Sequence, residues 1–179
     1  MKNLKYLLPF LLIPASLQAQ QDIKPIYKNT LKTTFLSYIT GSAKLTYERA
    51  TFPGQSFEIT GGIIGAGFDK FKVKPRGGLF RTGYKFIFSQ SLSGLYLKPE
   101  YAFSAFDFNS KNADRIHSQM QTIMCNVGYQ WIIKRLVLDG FVGIGVGWGN
   151  KTELNYHHGF IDRYGWLTLS FGMRVGIAF

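Results

Sequence analysis

Trp166-Leu-Thr-Leu-Ser-Phe-Gly-Met-Arg-Val-Gly-Ile-Ala-Phe179 closes the chain, and its alternation decides the fold. Leu167, Leu169, Phe171, Met173, Val175, Ile177 and Phe179 are large and apolar. Between them stand Trp166, Thr168, Ser170, Gly172, Arg174, Gly176 and Ala178, mostly small or polar. Side chains that change face at every residue define a β-strand with two unlike faces. Strands of soluble domains usually run about 5–6 residues, and this one runs roughly twice as far. A tilted strand crossing a hydrocarbon layer needs about 9–11 residues, with apolar side chains outward and polar ones inward. The stretch therefore reads as one stave of a membrane barrel, and the rest of the chain must supply the others.

Seven further strand candidates precede it, at about 30–39, 43–50, 56–66, 79–88, 95–106, 119–131 and 135–148. The first alternates poorly: Thr33 and Ser37 interrupt one face, and Lys32 and Thr34 occupy the other. Others are cleaner. Phe80, Tyr84, Phe86 and Phe88 stand opposite Arg81, Gly83 and Lys85; Leu136, Leu138, Val142, Ile144, Val146 and Trp148 share one face. Turns at 52–55, 89–94 and 132–134 are short, whereas the connections at 67–78, 107–117 and 149–164 are long. Short turns at one end and long loops at the other are the habit of transmembrane barrels. Only the first outer connection, at 40–42, breaks it. Trp131, Trp148, Trp166, Tyr129, Phe88 and Phe80 fall near strand ends, where interfacial aromatic girdles sit. The expected fold is all-β: an eight-stranded antiparallel transmembrane β-barrel with short periplasmic turns and longer outer loops.

Residues 1–19 have the three parts of a secretory signal. Lys2 and Lys5 are the positive start, an apolar core follows, and Ala15-Ser-Leu-Gln-Ala19 supplies small residues for cleavage near Ala19. Residues 20–29 then read as a periplasmic lead-in and 30–179 as the barrel. The formal charge of +11 invites a nucleic-acid reading. The basic residues are scattered, however, and no nucleic-acid-binding motif is present; a basic surface beside anionic headgroups is the simpler account. Mean hydropathy near zero fits a barrel, whose strands average a lipid face against a polar lumen. The single cysteine, Cys125, allows no intramolecular disulfide and lies on an apolar face. A soluble barrel would turn the same alternation inside out. An eight-stranded interior only just holds its side chains, so the bulky apolar set belongs outside and the glycine-rich polar set within.

Four segments carry a family resemblance: Leu17-Gln-Ala-Gln20, Leu45-Thr-Tyr-Glu-Arg49, Leu97-Lys-Pro-Glu-Tyr101 and the terminal Ile177-Ala-Phe179. With them the chain resembles the small eight-stranded bacterial outer-membrane barrels of the OmpA-transmembrane, OmpX-like and opacity-type superfamily, and uncharacterised Bacteroidota members in particular. The resemblance implies a Gram-negative outer-membrane location, Phe171 and Phe179 as the C-terminal assembly signal, and the barrel assembly machinery as a partner during biogenesis. It implies a monomer surrounded by lipid and lipopolysaccharide. It departs from the family in its very short first outer loop and in having no appended peptidoglycan-binding domain.

Alternation places nine charges in the lumen: Lys44, Arg81, Lys85, Lys98 and Arg174 against Glu48, Glu58, Glu100 and Asp139. Buried charges require opposite partners, so a mutually paired network filling the barrel is expected, with a narrow pore for small or hydrophobic solutes as the alternative. Gly143, Gly145 and Gly147 form an inward stripe that makes room for Phe141, Trp166 or the charges, or for a small apolar ligand. Lys70, Lys72, Lys74 and Arg76 alternate with apolar residues in an expected outer loop and are candidates for lipopolysaccharide phosphates. His117, His157 and His158 also fall in expected outer loops. Adjacent residues on an extended chain point opposite ways, so neither a metal site at 157–158 nor a nucleophile–base pair at His117-Ser118 is favoured. The expectation is a non-catalytic envelope protein without cofactor or metal, a lipid A-modifying enzyme being the third reading.

Overall fold

The computed structural model describes residues 27–39, 41–68, 74–89, 92–109, 115–149, 163–164 and 167–179. The strands are β1 (Asn29–Thr34), β2 (Ser42–Phe52), β3 (Gln55–Ile64), β4 (Arg76–Ile87), β5 (Gly94–Asn109), β6 (Arg115–Ile133), β7 (Leu136–Gly149), a two-residue β8 (Arg163–Tyr164) and β9 (Leu167–Ala178). Each stave pairs antiparallel with the next, and β1 pairs with both β2 and β9, which closes the sheet. The chain ends tie the seam: Asn29 N donates to the Phe179 carbonyl at 3.0 Å, and Phe179 N donates to that of Asn29 at 2.9 Å. Eight staves, β1–β7 and β9, make one closed antiparallel barrel; β8 is a short addition beside β9.

The turns at the end holding the termini are tight. Gly54 takes φ 72° in the β2–β3 turn, and Lys134 takes φ 56° in the β6–β7 turn. At the opposite end β5 and β6 run past their neighbours, so Asp107 pairs with His117 and Asn109 with Arg115. The expected loop at 107–117 thus contracts, and His117 stands on a strand. Arg76, expected in a loop, opens β4 and pairs with Asp107. The extended ladder pairs the backbone N–H and C=O groups of the two strands with each other.

The largest departure is the first stave. The expected strand at 30–39 ends at Thr34, and Phe35–Ile39 forms a single helical turn, α1. Ser37 Oγ donates to the Thr34 carbonyl at 2.6 Å and stays buried, which folds the chain back at the point where alternation fails. The β1–β9 ladder consequently ends at Thr34 opposite Arg174. Beyond it α1 packs against β9 and β2, with Phe35, Tyr38 and Ile39 exposed.

Burial is inverted relative to a soluble domain. Among the described residues, buried polar and charged side chains outnumber buried apolar ones, 24 to 14. The outer wall carries Leu45, Ile63, Ile123, Val142, Ile144, Phe171, Met173 and Ile177, all exposed. Among the described residues the buried apolar side chains form two clusters, one toward each end of the barrel. Ile87, Leu92, Tyr96, Ile132, Val137, Phe141 and Ala178 form a floor at the tight-turn end, backed by Tyr27 and Ala50. Ile64, Leu79, Phe106 and Phe108 cluster near the other mouth.

Candidate functional site

The period of two on β1–β5 and on β6, β7 and β9 delivers one polar side chain inward at every second position. At the centre they converge. Lys32 Nζ donates to Glu48 Oε2 at 2.8 Å, Gln130 Oε1 at 3.0 Å, and Glu58 Oε2 and Asp139 Oδ2 at 3.1 Å. Lys85 shares those partners, at 2.8 Å from Gln130 Oε1, 3.2 Å from Asp139 Oδ2 and Glu58 Oε2, and 3.3 Å from Glu48 Oε1. The carboxylates complete their lone pairs elsewhere. Ser56 Oγ and Thr30 Oγ1 donate to Glu48 at 2.6 and 3.1 Å, and the Tyr96 hydroxyl donates to Asp139 Oδ1 at 2.6 Å.

A second tier adjoins the first through Glu58. Lys98 Nζ lies 2.8 Å from Glu58 Oε1 and 2.5 Å from Glu100 Oε2. Arg174 Nη1 donates to Glu58 Oε1, and Arg81 grips Glu100 Oε1 through Nε at 2.8 Å and through Nη2. Phe141 sits among these cations, its ring centroid 4.5 Å from Arg174 Cζ, 5.3 Å from Lys98 Nζ and 5.9 Å from Arg81 Cζ. An aromatic face attracts cations electrostatically, so the ring separates like charges without adding a proton acceptor. Room for it comes from Gly172, where a Cβ would lie 2.5 Å from the Phe141 ring.

All nine lumen charges singled out by alternation are buried, and eight of them have the ion pairs described above. Lys44, the ninth, lies farther toward the outer mouth on β2. Alternation missed the hub. Lys32 makes four contacts in the network, and its parity with Thr30 and Thr34 on β1 was the available signal. Tyr96, Gln130 and Phe141 were likewise unassigned to the network, because an amide or an aromatic in an alternating run carries no charge to count. The stripe at Gly143, Gly145 and Gly147 is lined by Asn126, Met124, Met120, Thr122 and Thr168.

Outward and above the apolar wall, His117 Nδ1 lies 2.6 Å from Asp107 Oδ1, and its Nε2 is 3.0 Å from the Gln119 amide. Arg115 lies 3.1 Å from Asp107. The imidazole therefore faces an amide where a nucleophile would have to stand. Lys74 and Arg76, with Ile63, Ile64 and Pro75, line an open cleft of about 430 Å³ at the outer end of β3 and β4. Lys70, Lys72, His157, His158 and Trp166 lie outside the described residues. Among the described residues no group of three His, Cys, Asp or Glu side chains is placed to hold a metal ion.

No protein-family model matches the chain, and no curated protein matches it. Among solved structures the chain is similar to the N-terminal beta-barrel domain of Pseudomonas aeruginosa OprF, at 12% identity and a TM-score of 0.49, over 87% of this chain and 98% of that one.

Proposed function

We propose that this chain is a bacterial outer-membrane barrel with a structural or surface-contact role, non-catalytic, whose lumen is closed by its own charges. One observation carries the reading: apolar side chains cover the wall while a paired ionic network fills the interior. In water that arrangement would expose the apolar belt and bury charge, two costs at once. In a bilayer the wall meets hydrocarbon, and a closed barrel leaves no strand edge to satisfy. On β6 the outward residues change from Ile123, Cys125, Val127, Tyr129 and Trp131 to Gln121, Gln119, His117 and Arg115. That change marks the outer edge of the lipid-facing belt, with β5 and β6 projecting beyond it.

The remaining parts of the reading follow from the sequence. Residues 1–19 direct export, with cleavage near Ala19; residues 20–29 lead in from the periplasm; 30–179 insert as a monomer, Phe171 and Phe179 serving as the assembly signal. Lys70, Lys72, Lys74 and Arg76 meet lipopolysaccharide phosphates at the outer rim. Fluorescence quenching tests the location. Trp131 and Trp148 are outward and exposed, so refolding into vesicles of brominated phospholipid should quench tryptophan emission strongly. Emission indifferent to bromination would overturn the membrane assignment.

A further inference from the structure

The open cleft of about 430 Å³ at the outer end of β3 and β4 joins two unlike surfaces. The two strands pair as far as Ile64 and Gly77. Beyond that pair Lys74 and Arg76 bring positive charge to the cleft, and Ile63, Ile64 and Pro75 bring apolar atoms. The backbone around it is closely fixed. A Cβ on Gly65 would lie 2.1 Å from the Pro75 carbonyl oxygen, and Pro75 is buried. Lys74 takes φ 49°, a left-handed conformation that lysine adopts only where its surroundings hold it.

Beneath the cleft the outer wall is bare. Gly61 and Ile63 face outward on β3, and Phe80, Gly78 and then Arg76 face outward on β4. The register sets Gly61 beside Phe80 and Ile63 beside Gly78. A Cβ on Gly61 would meet nothing within 4 Å, and one on Gly78 only the Gly62 carbonyl oxygen at 3.8 Å. A diagonal channel free of side chains therefore runs from below Arg76 past Gly78 to Gly61, between the exposed Ile63 and Phe80. Its head is positive: with Asp69 counted, residues 69–76 carry four basic side chains against one acid. Asp107, opposite Arg76 on β5, is held by Arg115 at 3.1 Å and by His117 at 2.6 Å.

We propose that the cleft and channel seat one phosphorylated glycolipid of the surrounding leaflet, its phosphate against Arg76 and Lys74 and one acyl chain in the channel. A guanidinium holds phosphate oxygens through paired N–H donors. In hydrocarbon the chain gains packing contacts and no hydrophobic driving force, so the phosphate sets the affinity and the channel sets the position. The site differs from loop cations drawn to a headgroup layer in holding one lipid in one place. It rests on the outer-membrane reading, in which phosphates and acyl chains meet the wall together.

Native mass spectrometry of the barrel refolded in micelles with diphosphorylated lipid A tests it. One lipid A should stay bound to each barrel, and dephosphorylated lipid A should not. Arg76→Gln should weaken retention about tenfold, the loss expected for one hydrogen bond to an ion. Gly78→Leu fills the channel while keeping both cations, and should weaken retention by a smaller factor. Both positions are exposed, so both variants should refold. Retention untouched by either substitution, or equal for the two forms of lipid A, would overturn the site. A loss in Arg76→Gln alone would overturn the acyl seat. Tryptophan emission indifferent to brominated lipid would instead break the membrane reading, whatever the retention.

Discussion

The inner and outer halves of the lumen solve the problem of a polar interior differently. In the inner half every carboxylate meets at least two cations, and an apolar floor of Ile87, Leu92, Ile132 and Val137 seals it. The outer half mixes hydroxyls and Lys44 with Met120, Met124 and the apolar cluster at the mouth. Thr46 and Thr60 bond each other at 2.7 Å, whereas Thr122 Oγ1 and Thr168 Oγ1 have no partner among the described residues. Removing one member of the inner network would strand several buried charges, and removing an outer hydroxyl would strand none.

The sharpest contrast is between two substitutions of opposite sign. Glu58→Gln removes the carboxylate shared by Lys32, Lys85, Lys98 and Arg174. It leaves those cations undercompensated, and should cost about 3–5 kcal/mol of unfolding free energy, measured by urea titration in vesicles. Lys44→Met takes away one buried amine toward the outer mouth and puts apolar atoms of similar length in its place. It should change stability by less than about 1 kcal/mol, or raise it. Equal losses in the two variants would show that the halves do not differ.

Glycines give a smaller version of the same comparison. Gly172→Ala drives a methyl into the Phe141 ring within the network and should cost about 1–3 kcal/mol. Gly140→Ala meets nothing within 4 Å and should stay within about 0.5 kcal/mol of the parent. The smallest effect belongs to the outer hydroxyls. Thr122→Val removes a buried hydroxyl that has no described partner, so thermal unfolding should be unchanged or slightly later. A clear loss would mean that Thr122 holds an ordered water.

Most of the barrel was legible because its wall has two unlike sides, an apolar outside and a charged inside. A residue on β6 or β9 faces either the apolar outside or the charged inside, so identity and position agree for many residues in succession. β1 was legible only as far as Thr34. Phe35-Leu-Ser-Tyr-Ile39 reads as a strand by composition, rich in aromatic and branched residues, but the Ser37 bond to Thr34 turns it into α1. That local hydrogen bond leaves no trace in a period. Lys32 shares its face with Thr34 in the sequence, but on a strand with a weak pattern only the pairing with β2 and β9 makes that face the inner one. His117 and Arg76 were placed in loops because polar residues were equated with loops, whereas the β5–β6 ladder continues above the apolar belt, where both strand faces can be polar. The pairing partners inside the lumen, above all Tyr96 to Asp139 and Gln130 to Lys32, depend on register across strands far apart in sequence. Alternation fixes only the face.

Conductance of the refolded barrel in a planar bilayer tests the central claim most directly. A lumen whose cross-section is occupied by the Lys32, Lys85, Glu48, Glu58 and Asp139 cluster should give a silent membrane, with no unitary steps at any applied voltage the bilayer withstands. Stable, repeatable current steps that persist in the parent protein and scale with salt would contradict it.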